Sequence, residues 1–388
     1  MISLDTAEKA LKDLYLGVVS EQLNIGTNPF LAKIQQTSSD VFGKEIVRLA
    51  SYGINGGVSA GKETDELPAA SGNNYAQFRL GLKNLFGTIE ISDKAVRASE
   101  NTAGAFVNLL NAEMEGLLKA SKFNFGRMIF GDGTGVLANV TSTDTDKKKI
   151  NVSDTKNLIE GMVIDIIDAQ GYTVGSKLKI VKVSRSGNYI YVESNNLNFG
   201  STCRIAVQKS FGQELTGLGA IFGSSASLYG LSRTDNEWLN PSLKDAGGSS
   251  VSSTLIQNAI DDTEALYGAS PDIVISSYGV RRAMIDYLSI NRVNLDYMNL
   301  DGGYKALSFN GIPWVAERFV EQGSAYILNS ADFKLHQLCD WRWLETESGR
   351  VIRQIPGKAA YSATLVKYAD LICDRPCGQI KIQNISEI

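Results

Sequence analysis

Apolar residues near the start of the chain recur at helical spacing. Ala10, Leu11, Leu14, Val18 and Leu23 fall on one stripe, with Asp5 or Thr6 placed to cap the helix and Gly26 with Pro29 to stop it. The period then changes to two. Residues Glu45–Tyr52 read as extended, and further on Phe78, Leu80 and Leu82 alternate with Arg79, Gly81 and Lys83, which predicts a long two-stranded arm. The stretch between these strands holds Gly53, Gly56, Gly57, Gly61 and Gly72 with Pro68 and few large apolar residues, so an exposed loop tip is expected there. Two strands have no third layer to cover their apolar face, and a hairpin that projects in this way needs a partner to lie on.

After Ser92, a good helix cap, residues 102–130 place Phe106, Leu110, Met114, Leu117, Leu118, Phe125, Met128 and Ile129 on one broad face. A helix of that length would be about 43 Å long, enough for the spine of a domain. It should end at Gly131-Asp132-Gly133-Thr134-Gly135. The pattern then turns to short β runs at 149–152, 162–167, 178–183, 189–193 and 203–207, separated by Gly161, Gly171, Gly175 and Ser186-Gly187-Asn188. Five short strands at this spacing read as a small barrel inserted into the mixed chain around it.

From Phe211 a Gly/Ser-rich connection leads to Gly247-Gly248-Ser249-Ser250. A helix over Ser253–Tyr267, a strand at Ile273–Ser276 and a helix through Val280, Met284, Tyr287 and Leu288 follow, the order of an α+β domain. Val315 and residues 326–328 supply further strands, and 360–372 and 379–385 read as long extended pieces. No internal repeat is evident.

Composition narrows the function. With 388 residues and 43% apolar content the chain is long enough for two or three cores. Its 38 Lys plus Arg against 42 Asp plus Glu leave a net charge of -4, which removes any strong pull toward phosphate backbones. The 37 glycines beside 7 prolines suit sharp turns and long hairpins. Nothing resembles a secretory signal, no apolar run reaches membrane-spanning length, and Cys203, Cys339, Cys373 and Cys377 are too scattered for a disulfide framework.

Candidate chemistry is sparse. Gly56-Gly57-Val58-Ser59-Ala60-Gly61-Lys62 fits the first seven positions of a phosphate-binding loop, but the next residue is Glu63 where a Ser or Thr must hold magnesium. Pro68 opposes the helix whose amides would face the phosphates. The Gly131 to Gly135 turn has one acidic side chain, too few oxygens for calcium, and Gly217-Leu218-Gly219 lacks the third glycine of a dinucleotide fingerprint. His336 is the only histidine, which leaves no His triad or cluster, and Cys373 with Cys377 lacks a second pair for zinc. Asp261-Asp262 and Glu113 with Glu115 read as solvated helix faces. The sequons at Asn139 and Asn151 mean little without secretion. Trp341-Arg342-Trp343 alternates as a strand would, so both rings share a buried or interfacial face, and Trp238 and Trp314 read as packing residues.

The order of these parts resembles the major capsid proteins of tailed bacteriophages, the Hong Kong ninety-seven type fold. Local wording agrees: Leu14-Tyr15-Leu16-Gly17-Val18-Val19, Thr88-Ile89-Glu90-Ile91-Ser92, Leu215-Thr216-Gly217-Leu218 and Phe309-Asn310-Gly311-Ile312-Pro313. The resemblance implies an α+β capsid fold with an N-terminal arm at 1–44, an E-loop hairpin at 45–91 and a peripheral domain with its spine helix at 92–139. An inserted β-barrel domain at 140–208, a connection at 209–244, an axial domain at 245–345 and a return to the peripheral domain at 346–388 complete it.

What the resemblance implies is a structural subunit with no catalytic residue, cofactor or metal. It would self-assemble as pentamers and hexamers into the icosahedral head of a tailed phage, around double-stranded DNA held without sequence specificity. The expected subunit contact is the hairpin tip, Gly56, Gly57, Gly61, Lys62, Glu63 and Glu66. Expected partners are further copies of the chain, a portal, decoration proteins and a separate scaffolding protein, since no scaffolding segment precedes the arm; no membrane is involved. The place would be the virion, after assembly in the host bacterial cytoplasm. One alternative is an encapsulin-like nanocompartment shell, which shares the fold and encloses enzymes. Another, of a different class, is a β-rich phage tail or adhesion protein.

Overall fold

The computed structural model describes residues 22–24, 28–64, 66–94, 103–143, 148–194, 197, 199–291, 297–299, 305–347 and 349–387. Residues 127–219 form one compact unit, and the residues before and after them form another. The amphipathic helix expected from residue 5 lies outside the described residues, apart from a helical piece at 22–24. Pro29, expected as a stop, instead opens helix α1 (Pro29–Lys33). Asn28 caps it by accepting from Leu31 N at 2.7 Å, and proline suits a first position whose N–H has no intrahelical partner.

β1 (Gln35–Thr37) and β2 (Val41–Phe42) lead into the arm strands β3 (Glu45–Tyr52) and β4 (Asn74–Gly81), which pair antiparallel from Glu45 opposite Gly81 to Tyr52 opposite Asn74. β5 (Lys83–Ser92) alternates strictly, with Leu85, Gly87, Ile89 and Ile91 turned inward. Helix α2 (Ala103–Phe130) crosses that inward face so closely at Gly87 that a Cβ there would stand 2.8 Å from Leu117 Cδ1. Phe125 of α2 meets Trp341 edge to face at 5.8 Å.

Within residues 127–219, six strands close into a barrel. They are β6 (Val136–Thr143), β7 (Lys149–Val152), β8 (Val163–Ile167), β9 (Thr173–Ser184), β10 (Tyr189–Val192) and β11 (Arg204–Val207), in the order β10-β7-β6-β11-β8-β9. Closure removes the unpaired edges that an open sheet of such short strands would expose. Ile150, Ile164, Ile166, Ile190 and Ile205 fill the interior. The alternation had suggested five strands; β6 is the sixth, hidden because bulges against both of its neighbours break its period. β9 also starts earlier than expected. Gly175 is no turn there but a strand position where Ile166 and Leu178 approach to 3.3 Å of where a Cβ would stand.

After Gly219 come β12 (Ser227–Leu228), β13 (Leu231–Ser232), β14 (Ser242–Asp245), α3 (Ser253–Tyr267), β15 (Ile273–Ser276) and α4 (Tyr278–Ile290). Then follow β16 (Tyr297–Asn299), β17 (Lys305–Phe309), β18 (Ile312–Ala316), β19 (Ala325–Leu328), β20 (Phe333–Trp343), β21 (Arg353–Gln354), β22 (Ala360–Cys373) and β23 (Ile380–Gln383). A mixed seven-stranded sheet, β14-β23-β19-β15-β18-β17-β16, packs against α3 and α4 through Ile256, Ile260, Val280, Met284, Trp314 and Ile380. Ser252 and Ser277 cap the two helices, and Gly268 ends α3 in the left-handed conformation. A second, five-stranded sheet is built on β22, which pairs with β20, β21 and β5, with β1 parallel to β20 at the edge. The chain thus leaves one sheet at the end of β22 and closes the other with β23.

Candidate functional site

The base of the arm is held by its own chain. Phe78 is fully buried between Tyr229, at 4.9 Å, and Trp238, at 5.8 Å, while Tyr52 stacks flat on Trp238 at 5.2 Å. Arg79 N donates to Tyr229 O at 3.0 Å. On the opposite strand Arg48 forks onto Asp374 at the end of β22 and reaches Asp40 at 2.7 Å. Trp238, read from the sequence as a packing residue, packs against the hairpin itself.

Above Tyr52 and Asn74 support ends. Three asparagines close the neck: Asn55 Nδ2 donates to Asn73 Oδ1 at 3.1 Å, Asn55 Oδ1 accepts from Gly57 N at 2.9 Å, and Asn74 Nδ2 donates to Ile54 O at 3.4 Å. Gly57 is half-buried because Ser71 crosses it, its N 3.2 Å from where a Cβ would stand. Gly56, Gly61, Lys62, Glu63 and Glu66 are exposed, and residues 56–64 and 66–73 contain no helix, so the arrangement a phosphate would need is missing from the described tip.

The most exposed apolar side chains of the tip are not among the glycines and charged residues that the sequence singled out. Ile54 is 86% exposed, Val58 85% and Leu67 92%. Large apolar side chains in a loop that cannot cover them were the available signal.

The other candidates resolve into packing. Gly217 and Gly219 touch the end of α2, where a Cβ on Gly217 would lie 2.3 Å from Met128 O, so the Gly-Leu-Gly run marks close backbone approach and not a nucleotide. Asp132 turns its carboxylate back onto Thr134 N and Thr134 Oγ1, at 2.9 and 2.6 Å. Asp261 accepts from Gln257 at 2.6 Å and Asp262 pairs with Lys244 at 2.7 Å on an exposed helix face. Cys373 and Cys377 are free, buried thiols held protonated by desolvation. Trp314 Nε1 donates to Ser276 Oγ at 2.7 Å inside the core, and Trp341 and Trp343 share a buried face. Among the described residues no cluster of metal-ligating side chains occurs, and no helix is long and apolar enough to cross a membrane.

His336 is fully buried, its Nδ1 3.0 Å from Ser39 O and its Nε2 without a partner. Burial pushes its pKa below the ordinary value of 6.5, against the hydrogen bond to Ser39 O, which raises it; Arg48 adds to the lowering, and Asp40 and Asp374 oppose it more weakly. The unfolded chain therefore binds a proton that the folded chain refuses. This contribution to stability is complete above about pH 6.5 and is lost as the pH falls from there toward the depressed folded value. The unfolding midpoint of the subunit should fall between pH 7.5 and pH 5.5, and His336→Gln should flatten that part of the profile. Equal slopes in the two proteins would assign the loss to carboxylates.

No family model matches the sequence, and no curated protein matches it. Solved structures do. The capsid asymmetric unit of cyanophage A-1(L) superposes with a TM-score of 0.58 at 11% identity, over 92% of this chain and 93% of that one. The capsid of a native GTA particle gives a TM-score of 0.47 at 10% identity over 92% and 90%, and the holo-SrpI encapsulin of Synechococcus elongatus gives 0.44 at 9% over 92% and 88%. These are shell proteins and not enzymes. On the first of these likenesses, the chain has the α+β fold of phage capsid subunits, the Hong Kong ninety-seven type.

Proposed function

We propose that the chain is a major capsid protein, the repeating subunit of the closed icosahedral head of a tailed phage around double-stranded DNA. The observation that carries this reading is the arm. Its base is fixed by Phe78, Tyr52 and Arg48, while its tip holds out Ile54, Val58 and Leu67, which nothing among the described residues covers. An apolar tip on an anchored stem suits a neighbouring copy, which removes that surface from water. Gly56, Gly57, Gly61, Lys62, Glu63 and Glu66 form the rest of this contact.

Copies meeting as pentamers and hexamers would share many modest interfaces, each weak alone and collectively stable. The net charge of -4 supports a wall that does not hold DNA back as it is packed. A portal, a separate scaffolding protein and decoration proteins complete the expected partners, and the virion, assembled in the host cytoplasm, the expected place. Negative-stain microscopy of the purified chain, alone and with its scaffolding partner, should show closed shells. Monomers only, under both conditions, would remove the reading. Shells that retain a protein cargo and exclude DNA would assign a nanocompartment instead.

A further inference from the structure

The charge of the whole chain hides a local one. Residues 127–219 carry 11 Lys plus Arg against 9 Asp plus Glu, a net charge of +2 within a chain of net charge -4. Several of those carboxylates are engaged by the backbone of the same unit: Glu160 accepts from Val183 N at 3.0 Å, Asp165 from Lys177 N and Lys209 N at 2.9 and 2.8 Å, and Asp168 from Tyr172 N at 2.8 Å. Lysines stand on the outside of the wall made by β7, β10 and β9.

Ile190 and Val192 of β10 point into the barrel, which turns Tyr189 and Tyr191 outward. The register puts Tyr191 between Lys149 of β7 and Lys182 of β9, and Tyr189 between Asn151 and Ser184. Residues opposite one another on one face of a sheet stand about 5 Å apart, so Tyr191 has a lysine close on each side. The two rings meet edge to face at 5.7 Å and 88°, and Lys149 Nζ lies 4.6 Å from the centre of the Tyr189 ring. Beside them the register of β9 on β10 slips, and the extra residue, Val181, is 60% exposed. Glu193, just past β10, adds a negative charge at one end of this face; Lys179, whose carbonyl accepts from Glu193 N at 2.8 Å, stands across from it.

We propose that the outer face of β7, β10 and β9 binds single-stranded nucleic acid, with Tyr189 and Tyr191 against the bases and Lys149, Lys179 and Lys182 on the phosphates. Two aromatic residues on one side of a strand are about 7 Å apart, a step that an unstacked single strand spans, and a ring beside a cation serves a base and its phosphate together. An acidic peptide would match the lysines and leave the rings idle. A double helix presents the edges of its bases and keeps their faces stacked inside, so it would meet the lysines alone. The site is therefore compatible with a wall that leaves packaged duplex DNA unheld. Every base has a flat face, which makes the site tolerant of sequence. The face belongs to the barrel, and the proposal stands whatever the subunit assembles into.

Fluorescence anisotropy of a labelled dT strand of about twelve nucleotides, titrated with the purified full chain at about 50 mM salt, tests this. The strand should bind about tenfold more tightly than a duplex of equal length, and about tenfold more tightly than an abasic strand with the same phosphates. Tyr191→Ala should weaken binding of the dT strand about tenfold, Tyr191→Phe should bind as the parent does, and Lys149→Gln with Lys182→Gln should flatten the salt dependence. The comparison of intact and abasic strands needs the parent chain alone, and it decides if a variant fails to fold. The proposal is overturned by no binding, by equal affinity for strand and duplex or for intact and abasic strands, or by an affinity unchanged in a folded Tyr191→Ala chain. An acidic polysaccharide that binds more tightly than the dT strand, and loses as much with Tyr191→Ala, would assign the face to glycans and overturn it too.

Discussion

Deletion of residues 55–72, with Ile54 and Asn73 rejoined by a short turn, should leave a subunit that folds and forms no closed shells. The fold should survive because everything that fixes the arm lies below the cut: the eight-pair ladder of β3 on β4, Phe78 between Tyr229 and Trp238, and Arg48 on Asp374. Assembly should fail because the deletion removes Val58 and Leu67, which are 85% and 92% exposed in the subunit. Covering a side chain of that size is worth about 1.5–3 kcal/mol. A loss of a few kcal/mol per contact, repeated at every copy, is ample to dissolve a shell held by many weak interfaces. Circular dichroism checks the fold, and sedimentation with negative-stain microscopy checks assembly. Normal particles from the deleted chain would sink the role given to the tip.

Elements whose two faces differ were legible in the sequence. β5 alternates without a break, α2 occupies the span that its apolar spacing predicts, and Trp341 and Trp343 flank exposed Arg342 as a strand with one buried face requires. The α+β class followed from these. What stayed hidden were places where a local rule is broken by a distant partner. Lys367 sits between Val366 and Tyr368 and reads as an ordinary outward residue of an alternating strand, yet both faces of β22 are covered there. Its partners Asn24 and Gln36 lie more than three hundred residues away in sequence, and no periodicity reports such a meeting. Gly217 and Gly219 looked like fragments of a nucleotide motif because close backbone approach selects glycine in both settings. The apolar tip of the arm is legible in Ile54, Val58 and Leu67, large apolar side chains in a glycine-rich loop too short of structure to cover them.

Replacing Glu214 by alanine should destabilise residues 127–219 by about 3–5 kcal/mol, the cost of leaving one member of a buried ion pair alone. Arg127, in the last turn of α2, forks onto Glu214 with NH1 to Oε2 at 2.7 Å and NH2 to Oε1 at 2.5 Å, and the two side chains are only 6% and 2% exposed. Arg127 Nε already lacks a partner, so little remains to hold the guanidinium once the carboxylate is gone. Replacing both, as Arg127→Met with Glu214→Leu, removes the two charges together and should cost far less than the single change. The comparison separates a pair kept for its attraction from one kept because each charge needs the other. Amide exchange read by mass spectrometry over peptides from 127–219 localises the effect, which a signal from the four tryptophans cannot do, since all lie outside that range. If Glu214→Ala proved as stable as the parent chain, or the double variant proved the worse of the two, the pair would not be the constraint that joins the end of α2 to the bend that follows β11.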